Sequence, residues 1–280
     1  MTYKELVNWI MLAEYKKMTN KKKIELLHTY KNINEICSIF NFNQEGKIDK
    51  YIKYMQEKNI QVISYHDKDY PRQLKNLYDA PIVIYAIGNC RILNRKNKIA
   101  VIGARKASNY GINIARQIGI FLSKNNIHTI SGLALGIDVN SHIGVLKENL
   151  LNSTSGRAIA VIGNGLDNIY PYQNREIAEK IVNNGGCIIS EYIVGTKPLK
   201  NNFPARNRII SALADKLVVV EAENEKSGTM ITVDFSLELG KEIYVVPGNI
   251  NSKMSVGTNK LIKDGAKIIT EFNDIIDEDY

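Results

Sequence analysis

The chain has 280 residues, of which 44% are hydrophobic, enough to bury a sizeable core and too much for a disordered polymer. No apolar run reaches the roughly 18 residues of a membrane span, and Met1-Thr2-Tyr3-Lys4-Glu5 does not open a signal peptide, so a cytoplasmic location without membrane attachment is expected. The net charge of +8 is uneven, being +4 over residues 1–60, +10 over 61–210 and −6 over 211–280. The central excess suits a polyanion such as nucleic acid and equally a solvated lysine-rich surface.

Residues 1–58 read as a small all-helical domain, with apolar positions at Leu6, Ile10, Ala13, Ile24, Leu27, Ile36 and Phe40 between Lys- and Asn-rich breaks. Two strand-like runs, 61–65 and 82–86, bracket Tyr70-Pro71-Arg72 and lead into the second domain, 59–280. From residue 98, short strands at 98–102, 127–131, 157–162, 187–190, 216–221, 242–246 and 266–269 are apolar on both faces, as parallel strands covered by helices must be. Between them, 108–125, 138–150, 173–184, 204–214, 227–240 and 256–264 are long enough for crossover helices. The fold class is α/β: an extended Rossmann-like, doubly wound, mostly parallel sheet. Cys37, Cys90 and Cys187 are widely spaced in apolar surroundings and read as reduced core residues.

Ligands of such sheets bind outside the carboxyl ends of the strands. Four of those ends are rich in glycine here: Gly103-Ala-Arg105 with Ser108, Ser131-Gly132 through Gly136-Ile-Asp138, Gly163-Asn-Gly165, and Glu221 with Ser227-Gly228-Thr229. Glycine admits close backbone approach, while Ser108, Asp138 and Ser227 are placed to cap the helices that begin there. Free N–H groups at those helix starts favour phosphates, although any one motif also fits a tight turn without a ligand. No complete G-x-G-x-x-G occurs, so no dinucleotide cofactor is expected. His28, His66, His128 and His142 show no metal-ligand spacing, and His142, one turn after Asp138, is expected to hydrogen-bond locally. Neither a catalytic set nor a metal site emerges.

The segment Lys200-Asn-Asn-Phe203-Pro204-Ala-Arg206-Asn207-Arg208 places a proline in a helical first turn and two arginines close behind it. That arrangement disfavours the helix unless the guanidinium groups face an anion. Phe203 fits either a core position or a platform on which an unpaired base stacks.

These residues resemble the DNA processing protein A (DprA/Smf) family over about 70–270. The resemblance is carried by Ile99-Ala-Val-Ile-Gly-Ala-Arg105, Ser131-Gly-Leu-Ala-Leu-Gly-Ile-Asp138, Gly165-Leu-Asp-Asn-Ile-Tyr-Pro171 and Ser190-Glu-Tyr192. Phe203-Pro-Ala-Arg-Asn-Arg-Ile-Ile210, Val220-Glu-Ala222, Ser227-Gly-Thr229 and Val246-Pro-Gly248 continue it. It implies a non-enzymatic homodimer that binds single-stranded DNA and loads a RecA-type recombinase during transformation or recombination. It also implies DNA contact by Arg105, Lys200 and Phe203, with Arg206 and Arg208 in the same basic pocket. With the acidic Asp277-Glu-Asp279 near Tyr280, no winged-helix domain is expected after the Rossmann domain. The rival reading is a nucleotide-processing enzyme related to the lysine-decarboxylase-like phosphoribohydrolases, whose Pro-Gly-Gly-x-Gly-Thr signature is absent.

Overall fold

The computed structural model describes residues 1–30, 32–40, 45–224 and 227–276, so the acidic run 277–279 lies outside the described residues. Among them, one sheet contains β1 (Gln61–Ser64), β2 (Val83–Gly88), β3 (Lys98–Ile102), β4 (His128–Ser131), β5 (Ala158–Val161), β6 (Cys187–Ser190), β7 (Lys216–Val219), β8 (Glu242–Val245) and β9 (Lys267–Ile268). Its order is β1-β2-β6-β5-β4-β3-β7-β8-β9. The seven strands from β3 onward pair in parallel, and β2 joins antiparallel to β6 and to β1. The chain starts the parallel region at β3, winds outward to β6, then returns to β7 on the other side of β3. The strand order therefore reverses between β3 and β7, and a crevice opens there.

Helices α1 (Tyr3–Glu14), α2 (Asn20–Thr29), α3 (Ile33–Ile39) and α4 (Glu45–Glu57) precede the sheet. Ile10, Leu12, Ile36, Ile52 and Met55 from these helices share one continuous apolar core with Ile84 and Tyr85 of β2. The crossovers are α5 (Asn109–Lys124), α6 (Ile137–Asn149), α7 (Arg175–Asn183), α8 (Asn202–Leu213), α9 (Gly228–Glu238) and α10 (Val256–Lys263). Helices α5, α6 and α7 pack against one another on one face and α8 packs against α9 on the other, as right-handed crossovers on the two sides of β3 require. Strand alternation serves both faces. Ile99 and Val101 cluster with Ala115, Ile118 and Leu122 of α5, while Ala100 and Ile102 belong with Ile209 and Leu213 of α8. Cys90 and Cys187 are buried free thiols with their sulfurs 3.9 Å apart, and Cys37 is a half-buried free thiol.

His142 departs from expectation. It is fully buried in α6, and neither ring nitrogen has a hydrogen-bond partner; the nearby Asp138 accepts from Gly132 N instead, at 3.1 Å. Burial pushes the His142 imidazole down to about 3. The unfolded chain takes up a proton near pH 6.5 that the folded chain refuses, so stability is complete above that pH and falls as pH drops toward 3. His142→Leu is expected to flatten this acid limb by one proton's contribution. Melting temperatures between pH 4 and pH 7, in roughly unit steps, check it, and an unchanged pH dependence contradicts it.

Candidate nucleic-acid interface

A cavity of about 450 Å³ lies at the carboxyl ends of β3 and β7, at the reversal of strand order. Gly103, Arg105 and Lys106 reach it from the β3–α5 connection, Lys200 and Phe203 from the entry to α8, and Ser227, Gly228 and Thr229 from the start of α9. Arg206 and Asn207 form its wall on α8. Ser108, Gly132, Gly163, Gly165 and Arg208 do not line it.

Arg105, Lys106 and Lys200 are exposed, and the exposed carboxylate among the lining side chains is that of Glu223. The rim is therefore net positive. The Arg105 guanidinium lies 5.4 Å from the centre of the half-buried Phe203 ring, a cation–π arrangement that holds charge and ring side by side. On its other neighbour side, Phe203 meets the ring of Tyr170 at 5.7 Å. Tyr170 escaped the sequence reading, as did Lys106. A tyrosine before a proline in the loop after β5 was the available signal for the first. Gly163 acts by clearance, since a Cβ there would stand 3.1 Å from Phe203 Cδ1.

The start of α9 adds a second kind of anion-binding element. Gly228 leaves open space where a Cβ would project, and the unpaired N–H groups of a first helical turn favour negative charge. Ser227 holds the capping position with extended backbone, yet its side chain makes no cap bond. Ser108 does cap α5, accepting from Gly111 N at 3.1 Å. Its own N–H and hydroxyl donate to the buried Glu221 at the end of β7, so Ser108 braces the loop that carries Arg105. Asp138 caps nothing: it sits inside α6, whose cap position is Gly136.

The two arginines of α8 differ from the expectation. Arg206 is 3% exposed and donates from one guanidinium nitrogen to the carbonyls of Gly132 (2.8 Å) and Val161. It thereby ties the ends of β4 and β5 to α8. Burial pushes Arg206 down to about 10 and Asp138 upward, and each charge partly restores the other. Gly132 gives them room, because a Cβ there would come within 2.6 Å of both side chains. Arg208 is equally internal. Its guanidinium takes Glu191 bidentately at 2.7 and 2.8 Å and Asp79 at 2.9 Å. Its remaining donors go to the carbonyls of Asp79 and Ala205. Although burial opposes its charge, Glu191 and Asp79 hold it above the usual arginine range. Every N–H of Arg208 is thus engaged inside the protein, whereas Arg206 spends one nitrogen on both carbonyls and its buried Nε has no hydrogen-bond partner. Gly165 is internal too, its N–H donating to Thr196 O at 3.0 Å.

A family model described as DNA recombination-mediator protein A matches residues 61–279. DNA processing protein DprA of Bacillus subtilis (strain 168) is 36% identical over 232 residues, covering 83% of this chain and 75% of the relative. The protein of the same name from Streptococcus pneumoniae is 38% identical over 212 residues, covering 76% and 72%. The X-ray structure of DprA from Streptococcus pneumoniae superposes with a TM-score of 0.80 at 31% identity over 97% of both chains. A Helicobacter pylori DprA structure, described as giving insight into a single-stranded DNA binding mode, has a TM-score of 0.68 at 30% identity, covering 78% of this chain and 94% of that one.

Proposed function

This chain belongs to the DNA recombination-mediator protein A family, and from that premise we propose that it binds single-stranded DNA, without sequence preference, in the switch-point cavity. The observation that carries the reading is the pairing of exposed Arg105 with the Phe203 ring, next to Lys200 and the start of α9. Cations and helix-start N–H groups take phosphates, and a half-exposed ring stacks on any base. None of these reads base edges, which is why sequence should matter little. Ser108, Gly132, Gly163, Arg206 and Arg208 serve this site by shaping it, while Gly103, Asn207, Ser227, Gly228 and Thr229 face the strand.

Family membership supports the wider part of the proposal: a homodimer that delivers the strand to a RecA-type recombinase in transformation and homologous recombination, acting in the cytoplasm without cofactor or catalysis. Among the described residues no helix is long and apolar enough to cross a membrane. Competition between oligo-dT and duplex of equal length tests the binding reading. The single strand is expected to win clearly, because a duplex hides its base faces from Phe203. Equal affinities would overturn it, and base released from nucleoside monophosphates would favour the phosphoribohydrolase-like enzyme.

A further inference from the structure

Helix α4 bears Lys47, Tyr51 and Tyr54 at spacings of four and three, one helical face, and Lys58 follows directly after its last residue. The Lys47 ammonium lies 5.7 Å from the centre of the Tyr51 ring. That ring borders Gly195, in the segment that leads to Lys200; a Cβ at Gly195 would stand 3.5 Å from it. Tyr54 and Lys58 run on into a cleft of about 510 Å³ between α4 and the β5–α7 connection. Tyr172 and Arg175 form the opposite wall, over a floor that includes Ile60, Ile87 and Ile188.

This cleft is linked to the switch-point cavity by a short run of chain. Tyr170, against Phe203, and Tyr172, in the cleft wall, are two residues apart, so their Cα atoms are no more than about 7 Å from each other. Tyr172 is 72% exposed. The cleft itself is close to neutral. Glu179 pairs with Arg175 at 3.3 Å, and Asp167, which accepts from Gly195 N at 2.8 Å, offsets Lys58. An apolar floor between two tyrosines suits an uncharged base, and the exposed Lys58 at the cleft and Lys47 on α4 are the cations that phosphates of the same strand would meet.

We propose that the α4 face and Tyr172 form a second stretch of the single-strand path, receiving unpaired bases of DNA that has left Phe203. The proposal rests on the single-strand reading above and extends it to the helical segment before the sheet. A strand too short to leave the first cavity does not reach the second, so the two stretches separate by length.

The test measures affinity of the full chain for oligo-dT of about 5 and about 20 nucleotides, lengths that bracket common single-strand site sizes. The double substitution Tyr172→Ala, Lys58→Ala is expected to weaken the long oligomer about tenfold, with a salt slope shallower by about 0.7, and to leave the short one within about twofold. Both side chains are solvent-facing, and an unchanged melting temperature verifies that the fold is intact. Loss of affinity equal at both lengths, or no loss at either, overturns the proposal; the second outcome points to a protein segment as occupant of the cleft. Wild-type protein that holds neither oligomer overturns the single-strand reading with it. If Phe203→Ala weakens both lengths while the double substitution weakens neither, this inference alone fails.

Discussion

Arg206→Ala is expected to cost about 3–5 kcal/mol of folding stability, the penalty for leaving a buried charge without its partner. Asp138 is buried beside the guanidinium, and its carboxyl is already driven upward by that burial. Removing Arg206 also strips donors from the carbonyls of Gly132 and Val161, at the ends of two central strands. For a chain of this size the melting temperature should fall on the order of 10 °C. Adding Asp138→Asn removes the orphaned charge and should restore part of the loss, whereas independent roles would make the two substitutions additive. Thermal unfolding of the two single variants and the double variant decides this. A stable Arg206→Ala protein that has merely lost DNA affinity would return Arg206 to the phosphate-binding role its sequence position suggested.

Phe203→Ala should behave in the opposite way, with a fold little changed and single-strand affinity down by roughly 1–3 kcal/mol, about 5- to 150-fold. The ring is half-buried at the cavity rim, bounded by Arg105, Tyr170 and the bare backbone of Gly163. Truncating it removes a stacking surface and opens little buried volume. Stacking releases no counterions, so the salt dependence of binding should keep its slope. Affinity and melting temperature measured on one preparation separate the two readings of this residue. Early melting by several degrees with normal oligo-dT affinity would make Phe203 a core aromatic.

The sheet was legible because its parallel strands are apolar on both faces, and each of the seven strands expected from residue 98 onward is present. The crossover helices also appear, though α8 starts at Asn202, so that Pro204 falls within the first turn rather than opening it. Arg105, Lys200 and Phe203 stand at the cavity because the glycine-rich strand end and the Lys200–Arg208 segment both lie at carboxyl ends of the sheet. What sequence hid was burial. Arg206 and Arg208 are two residues apart in a basic stretch, and their charge suggested an external anion. Their partners are distant in the chain: Gly132 and Val161 for one, Asp79 and Glu191 for the other. Only the fold brings those groups together, and once together they bury both guanidinium groups, taking every donor of Arg208 and one nitrogen of Arg206. Gly132 and Gly163 carry a second role that the sequence did not display: a Cβ at either would press on Arg206 or Phe203.

Salt titration of oligo-dT binding, comparing the wild-type chain with Arg105→Ala, Lys200→Ala, tests the central claim most directly, because those two side chains are exposed at the cavity rim while Arg206 and Arg208 are internally engaged. Each phosphate neutralised on a single strand contributes about −0.7 to the slope of log affinity against log salt. The double substitution should therefore weaken binding and make that slope shallower by about 1.4, with melting temperature unchanged. A variant whose slope matches the wild type would show that the phosphates are held elsewhere, and the switch-point cavity would not be the DNA site.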